Sequence, residues 1–264
     1  MKKRYIYLYL IGWWLFCVAC TGNFRDYNTD LSGITNEDLN IDDNGYGIRL
    51  GIIQQGIYFN YDYGKGKNWP FQLIQNLNAD MFSGYMHDAK PLNGGSNNSD
   101  YNMQDGWNSA MWTHVYSYIF PQIYQSENAT RDTHLALFGI TKILKVEVMH
   151  RVTDYYGPII YRHFANAEKH YQPDTQKEVY YEFFNELDSA VVALIGYIEE
   201  KPESNGFARF DILLDGKYSS WVKFANSLRL RLAMRLASIA PDKARSEIEK
   251  IKENDYGFFE RGSE

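Results

Sequence analysis

The stretch HLALFGITKILKVEVMHRVTDYY, residues 134 to 156, constrains the fold more than any other part of the chain. Its apolar residues recur at helical spacing on more than one side, so the helix they form cannot lie on a surface and must be packed between others. The pattern ends abruptly at Asp154-Tyr155-Tyr156-Gly157-Pro158. Gly157 reaches a left-handed conformation cheaply, and Pro158 forbids further helix while pushing the residue before it out of the α region.

The rest of the sequence supplies the neighbours. Ile48, Ile52, Gly56 and Phe59 fall at helical spacing after Asn44, and 69 to 82 predicts a second, short helix with Pro70 suited to a first helical position. Trp107, Met111, Val115 and Tyr118 carry a third helix over 107 to 125. Residues 177 to 200 are amphipathic, and 221 to 240 places Trp221, Phe224, Ala225, Leu228, Leu232 and Leu236 on one stripe. Asp242 is suited to cap a last helix running to Lys252. Strand signal is almost absent. The predicted fold is all-α, as stacked tetratricopeptide-like helix pairs with a long loop excursion at 83 to 106. No repeat consensus of roughly 34 residues recurs, so the tetratricopeptide likeness is one of geometry.

The N-terminus predicts export. Lys2, Lys3 and Arg4 precede a 15-residue apolar run that ends just before Cys20, the pattern of a secretory signal peptide and too short for a comfortable span. Val18-Ala19-Cys20 resembles a bacterial lipobox, with Cys17 where a leucine is usual. Residues 1 to 19 are thus expected to be the signal peptide, Cys20 the lipid-attachment residue, and the polar, Asn/Asp-rich 20 to 43 a lipidated tether. Cys20 would then be the only cysteine of the mature chain, without an intramolecular disulfide partner. Several acyl chains on one cysteine tether far more firmly than a single chain.

Charge argues against one class of partner. The formal charge is −6 and no dense basic patch follows the leader beyond the helix carrying Arg229, Arg231 and Arg235, so nucleic acid is not an expected ligand. Those arginines are expected on a solvated or internally paired face. The 22 tyrosines and 6 tryptophans exceed what a core needs, and such rings collect on ligand platforms and interfaces.

Three passages together resemble the SusD/RagB family of nutrient-binding outer-membrane lipoproteins. They are Cys20 with NFRDYNTD after it, VTDYYGPIIY at 152 to 161, and DGKYSSWVKFANSLRLRLAMR at 215 to 235. Pro158 directly follows Gly157, and Lys217 stands where Asp is usual. The resemblance runs from residue 20 onward and implies one SusD-like helical domain over 44 to 264. Family members are normally much longer, so the chain looks like the N-terminal part of a member with the C-terminal half absent. It further implies a lipid-anchored protein facing the cell exterior that binds oligosaccharide or peptide and delivers it to a SusC-like TonB-dependent transporter. By the same resemblance, the turn from Asp154 to Tyr161 is scaffold, braced by tyrosine rings.

Glycan binding needs flat rings for the apolar faces of sugars and amides or carboxylates for their hydroxyls. Residues 69 to 116 concentrate such groups, giving Trp69, Asn78, Asp80, Tyr85, Asn93, Tyr101, Trp107, Trp112 and Tyr116 as candidates. Trp107 and Trp112, at helical spacing, are better suited to partial burial, while Tyr85 and Asn93 lie in loop. The six histidines lack metal-ligand spacing, and they are expected to be surface or satisfied polar residues. Asp42-Asp43-Asn44 and Asn97-Asn98-Ser99-Asp100 offer oxygen ligands but match no EF-hand loop, so neither metal nor cofactor is expected. Two other functions compete with binding. A surface glycoside hydrolase would need two carboxylates at a set separation, and no such pair can be read. A helical-repeat scaffold would bind only proteins.

Overall fold

The computed structural model describes residues 44–59, 69–90, 92–165, 172–202, 204 and 206–260. The expected signal peptide, Cys20, the tether and the Asp42-Asp43 pair lie outside them. Among the described residues, and leaving aside turns of three or four residues, seven helical segments follow in order, here α1 (Asn44–Gly56), α2 (69–82), α3 (105–130), α4 (Leu135–Tyr156), α5 (Gln176–Glu200), α6 (Tyr218–Leu236) and α7 (Pro241–Lys250). Among the described residues the only β pairing is one antiparallel bridge, Ile159 with Asp174. Consecutive helices pack on one another from α3 to α7, and α1 packs against α3 and α4, which is the stacked-pair arrangement expected.

The α4 helix sits inside this stack. Fourteen of its residues are buried, among them Ile140, Ile143, Leu144, Val148 and Val152, on faces meeting α3 and α5. Gly139 lets α5 come close, because a Cβ there would stand 3.0 Å from the Ala190 carbonyl oxygen. The α5 helix starts at a capping box: Thr175 accepts from the Glu178 backbone and the Glu178 side chain accepts from the Thr175 backbone. The expected α6 stripe is buried at Trp221, Ala225, Leu228, Leu232 and Leu236, with Phe224 partly covered. Trp221 donates from Nε1 to the buried Asp211 at 2.8 Å, and Asp211 also accepts from the Leu213, Leu214 and Gly216 backbones. One carboxylate thus organises the turn that delivers α6.

Three local expectations are corrected. The buried face of α1 is Gly47, Leu50, Ile53, Gln54 and Gly56, followed by Ile57 and Phe59, so that of the expected stripe Gly56 and Phe59 are buried, Ile52 is half-buried and Ile48 is 51% exposed. The helix is apolar on two sides, and Gly47 settles the choice: its missing Cβ makes room for the Phe210 ring. In α3 the buried set runs Met111, Val115, Ile119, with Tyr118 exposed, because Val115–Ile119 is a wider π turn that advances the register by one residue. The α7 helix is entered through Pro241 after Ala240, with Asp242 inside its first turn rather than at the cap.

Several charges within the stack are paired. Arg229, buried, contacts Glu247 and lies 2.5 Å from Asp188, while Arg235 meets Asp154 at 2.9 Å and Arg231 lies 3.6 Å from Glu147. His114 and His150 are buried, and His150 is a satisfied polar residue whose Nδ1 bonds the Val146 carbonyl at 3.2 Å.

Candidate functional site

The excursion between α2 and α3 is an ordered structure built from asparagine. Two π-helical stretches, Gln72–Ala79 in α2 and Val115–Ile119 in α3, lie on either side of it in sequence. Inside α2 the widened turn places Asn78 in the interior, 1% exposed, where its Nδ2 donates to the Leu73 and Trp107 carbonyls at 2.8 and 2.7 Å. Its Oδ1 accepts from Asn98 at 2.6 Å and from the Tyr155 hydroxyl at 2.8 Å. Asn98, also buried, reaches the Leu77 carbonyl and Asn108 Oδ1, and accepts from the Gln104 backbone at 3.2 Å. A second knot surrounds Asp88, which accepts from the Leu92 backbone at 2.8 Å, from Asn97 at 3.2 Å and from the Ser99 hydroxyl.

These knots join the excursion to the turn at the end of α4. Tyr155 bonds Asn78 and Asn108, and the Tyr156 hydroxyl donates to the Asn108 carbonyl while accepting from the Trp112 backbone at 3.1 Å. The Tyr156 ring meets Trp112 edge-on at 5.5 Å, and Trp112 lies 4.3 Å from Tyr116. Burial is the main reason that the Tyr155 hydroxyl is pushed up to about 12 and that of Tyr156 raised, which keeps both neutral as donors. Asp154 is held by the Tyr180 hydroxyl and Arg235, and Gly157 takes φ 79° as the chain leaves the helix. Beyond it, Asp174 accepts from the Tyr161 and Arg162 backbones at 3.0 and 2.9 Å and from Arg162 Nε at 2.7 Å. The Asp-Tyr-Tyr-Gly turn is therefore a brace, and its aspartate is committed to structural partners.

What the knots hold up is an apolar, ring-bearing surface. Tyr85 is 88% exposed and Tyr101 69%, with Met86, Leu92, Met103 and Phe71 also open to solvent. Tyr101 adopts φ 56° at the end of the Asn98–Asp100 turn, and its ring lies 5.9 Å from Phe82. A non-glycine residue in the left-handed region is uncommon, and such positions collect at functional sites. Asn93 is exposed at φ 50° beside Gly94 and Gly95, its Nδ2 donating to the Ser96 carbonyl at 3.2 Å.

The sequence candidates therefore separate. Tyr85, Asn93 and Tyr101 are presented to solvent; Asp80 accepts from Gln75 and Asn76 at 2.7 and 3.0 Å; Trp107 and Trp112 are half-buried; Asn78 is spent on the fold. The Trp69 side chain lies outside the described residues. Asn97 and Asn98, read from sequence only as calcium candidates, prove to be the framework of the excursion, and their bonds to distant residues could not be seen in local spacing. Phe71 and Phe82 fall in the stretch read from sequence as a short helix, and Met103 in the loop excursion, where a methionine is not a flat ring or an amide. Among the described residues no group of three or more His, Cys, Asp or Glu side chains could hold a metal.

A buried pair of carboxylates converges between α3 and α5. Glu127 of α3 and Glu186 of α5 meet at the Lys145 ammonium, at 3.5 and 2.7 Å, with Lys142 also within 3.6 Å of both and the Tyr161 hydroxyl bonded to Glu186. Burial would push Lys145 down, but Glu186 and then Glu127 outweigh it and hold it charged. All four groups, Glu127, Lys145, Tyr161 and Glu186, are core residues, so this is an internal ion cluster joining three helices and lacks the open cleft that glycoside hydrolysis requires.

A helical stack with an ordered excursion that exposes aromatic rings is a fold of the tetratricopeptide-like class. The family model for the SusD-like group, described as Susd and RagB outer membrane lipoprotein, matches residues 26 to 264, and the chain belongs to that family. A SusD homologue from Bacteroides vulgatus is 45% identical with a TM-score of 0.76, over 83% of this chain and 44% of its own. A chitin-binding SusD homologue from Flavobacterium johnsoniae is 37% identical with a TM-score of 0.72, over 79% of this chain and 43% of its own. Another homologue, from Bacteroides thetaiotaomicron, is 28% identical with a TM-score of 0.68, over 82% of this chain and 42% of its own. The chain thus spans less than half the length of these solved relatives. No curated protein matches it. No described helix is long and apolar enough to cross a membrane.

Proposed function

We propose that this protein is a non-catalytic glycan-binding lipoprotein of the outer membrane. It captures oligosaccharide at the cell exterior and passes it to a SusC-like TonB-dependent transporter. Export by the leader of residues 1 to 19 and lipid attachment at Cys20 belong to the same reading, with 20 to 43 as tether and 44 to 264 as the folded receptor portion. The observation that carries the binding role is the exposure of two rings of the excursion, Tyr85 and Tyr101, the second at the end of a turn built on the buried Asn98. A sugar presents an apolar face to a ring and hydroxyls to neighbouring amides, and a platform fixed in advance loses little entropy on binding. Asn93 and Asp80 supply polar groups nearby in sequence. The family membership and the chitin-binding relative support the same ligand class.

Calorimetric titration with neutral glycans, chitin oligomers first, tests this together with an assay for new reducing ends. Saturable binding with no release of reducing ends is expected. Turnover of any glycan would replace the binding role with a hydrolytic one, and copurification of a transporter with no glycan affinity would favour a protein-binding scaffold.

A further inference from the structure

A second concave site lies away from the excursion, where the residues after α1 meet α4 and α6. It is a groove of about 340 Å³ lined by Tyr58, Glu147, Arg151, Phe224, Arg231 and Phe259, among others. Its volume is at the small end of ligand pockets, room for a group the size of a single ring. Arg151 is the unusual member. Its guanidinium stacks over the Phe59 ring at 4.4 Å and is half-buried, and the acid whose charge acts on it is Glu147, which it shares with Arg231. Glu147, the carboxylate lining the groove, lies 3.6 Å from Arg231. Every other large cation cluster in the stack is matched: Arg229 and Lys250 share Asp188 and Glu247, and Lys142 and Lys145 share Glu127 and Glu186.

The groove therefore carries two guanidinium groups against one carboxylate on a chain whose formal charge is −6. Burial, with the Arg231 charge adding to it, pushes Arg151 down against the pull of Glu147, so a further anion beside Arg151 would stabilise its charge. Guanidinium groups suit planar, two-oxygen anions, because their N–H fork matches a carboxylate. Tyr58, 50% exposed, and the half-buried Phe224 and Phe259 give flat apolar faces beside them.

We infer that the groove between Arg151 and Arg231 is a second binding site, for a carboxylate-bearing sugar of the hexuronic acid class. The carboxylate bridges the two guanidinium groups, and the sugar ring lies against the aromatic side chains. The choice of a sugar as carrier of the carboxylate rests on the glycan-binding reading above; the guanidinium pair does not.

The test is calorimetric titration of the whole chain with a trimer of galacturonic acid and, in parallel, with its methyl ester, which keeps the rings and removes the charge. The acid is expected to bind at least about tenfold more tightly, in line with a charged hydrogen-bonded pair. Raising salt is expected to weaken the acid alone. Arg231→Gln changes a side chain 58% exposed and should not disturb folding; it is expected to cut affinity for the acid about tenfold and to leave neutral chitin oligomers unaffected. Arg151→Lys, keeping charge but losing the fork, is expected to weaken the acid too. Equal affinity for acid and ester, no binding of the acid, or an unchanged affinity in Arg231→Gln overturns the proposal. Binding of chitin oligomers in the same experiment shows separately whether the excursion site stands.

Discussion

His150 sits 2% exposed inside the stack, with Arg231, Arg235 and Arg151 near enough to oppose a further positive charge. Burial is the larger cause, and together they bring its pKa from 6.5 down to about 4. The unfolded chain therefore binds a proton that the folded chain refuses between those values, and stability falls as pH drops from about 6.5 towards 4. The loss is of the order of 3 kcal/mol at the low end, at about 1.4 kcal/mol per pH unit. Urea unfolding at pH 7 and at pH 4.5 measures it, and His150→Gln is expected to flatten that part of the profile; an unchanged slope would remove the assignment. Gly216 carries a different constraint. At φ 72°, with a would-be Cβ 2.6 Å from the Ala208 Cα, Gly216→Ala meets both backbone strain and a clash with main chain. A fall of about 2 to 4 kcal/mol in unfolding free energy is expected by denaturant titration.

At the scale of elements, the excursion is the segment whose order is least expected from composition and most dependent on single side chains. Asn98→Ala removes several bonds and leaves the Asn78 and Asn108 oxygens short of a donor, at an expected cost of about 2 kcal/mol or more. Because the helices pack without it, hydrogen exchange is expected to speed up over 83 to 104 while α4 and α5 keep their protection. Equal loss of protection everywhere would show that the excursion is part of the main cooperative unit. The helices themselves were legible from apolar spacing, α4 and α5 to within a residue or two at each end. What periodicity missed was register. The π turn at Val115–Ile119 moves burial from Tyr118 to Ile119, and the α1 face is chosen by Gly47 and Phe210, partners far apart in sequence. The site was half legible for the same reason. Tyr85 and Tyr101 announce themselves as aromatic residues in loop, but Asn78 looks identical in sequence whether it faces a ligand or, as here, the Trp107 carbonyl.

For the whole molecule, the internal ion cluster of Glu127, Lys142, Lys145 and Glu186 ties α3, α4 and α5 together, and the Asp188–Arg229–Glu247 group ties α5, α6 and α7. Removing one partner of a buried ion pair strands the other, so Lys145→Met is expected to lower stability by about 3 to 5 kcal/mol in a thermal or denaturant melt, with the excursion rings unaffected. A packed helical stack with an ordered, ring-bearing excursion suits the proposed role of holding a glycan without altering it. The most direct measurement of that claim is calorimetric titration of the double variant Tyr85→Ala/Tyr101→Ala against the parent chain, with the glycan that the parent binds. The account predicts an unaltered melting temperature and an affinity reduced about tenfold or more, as two stacking rings imply. Parent-level affinity in the folded double variant would contradict it.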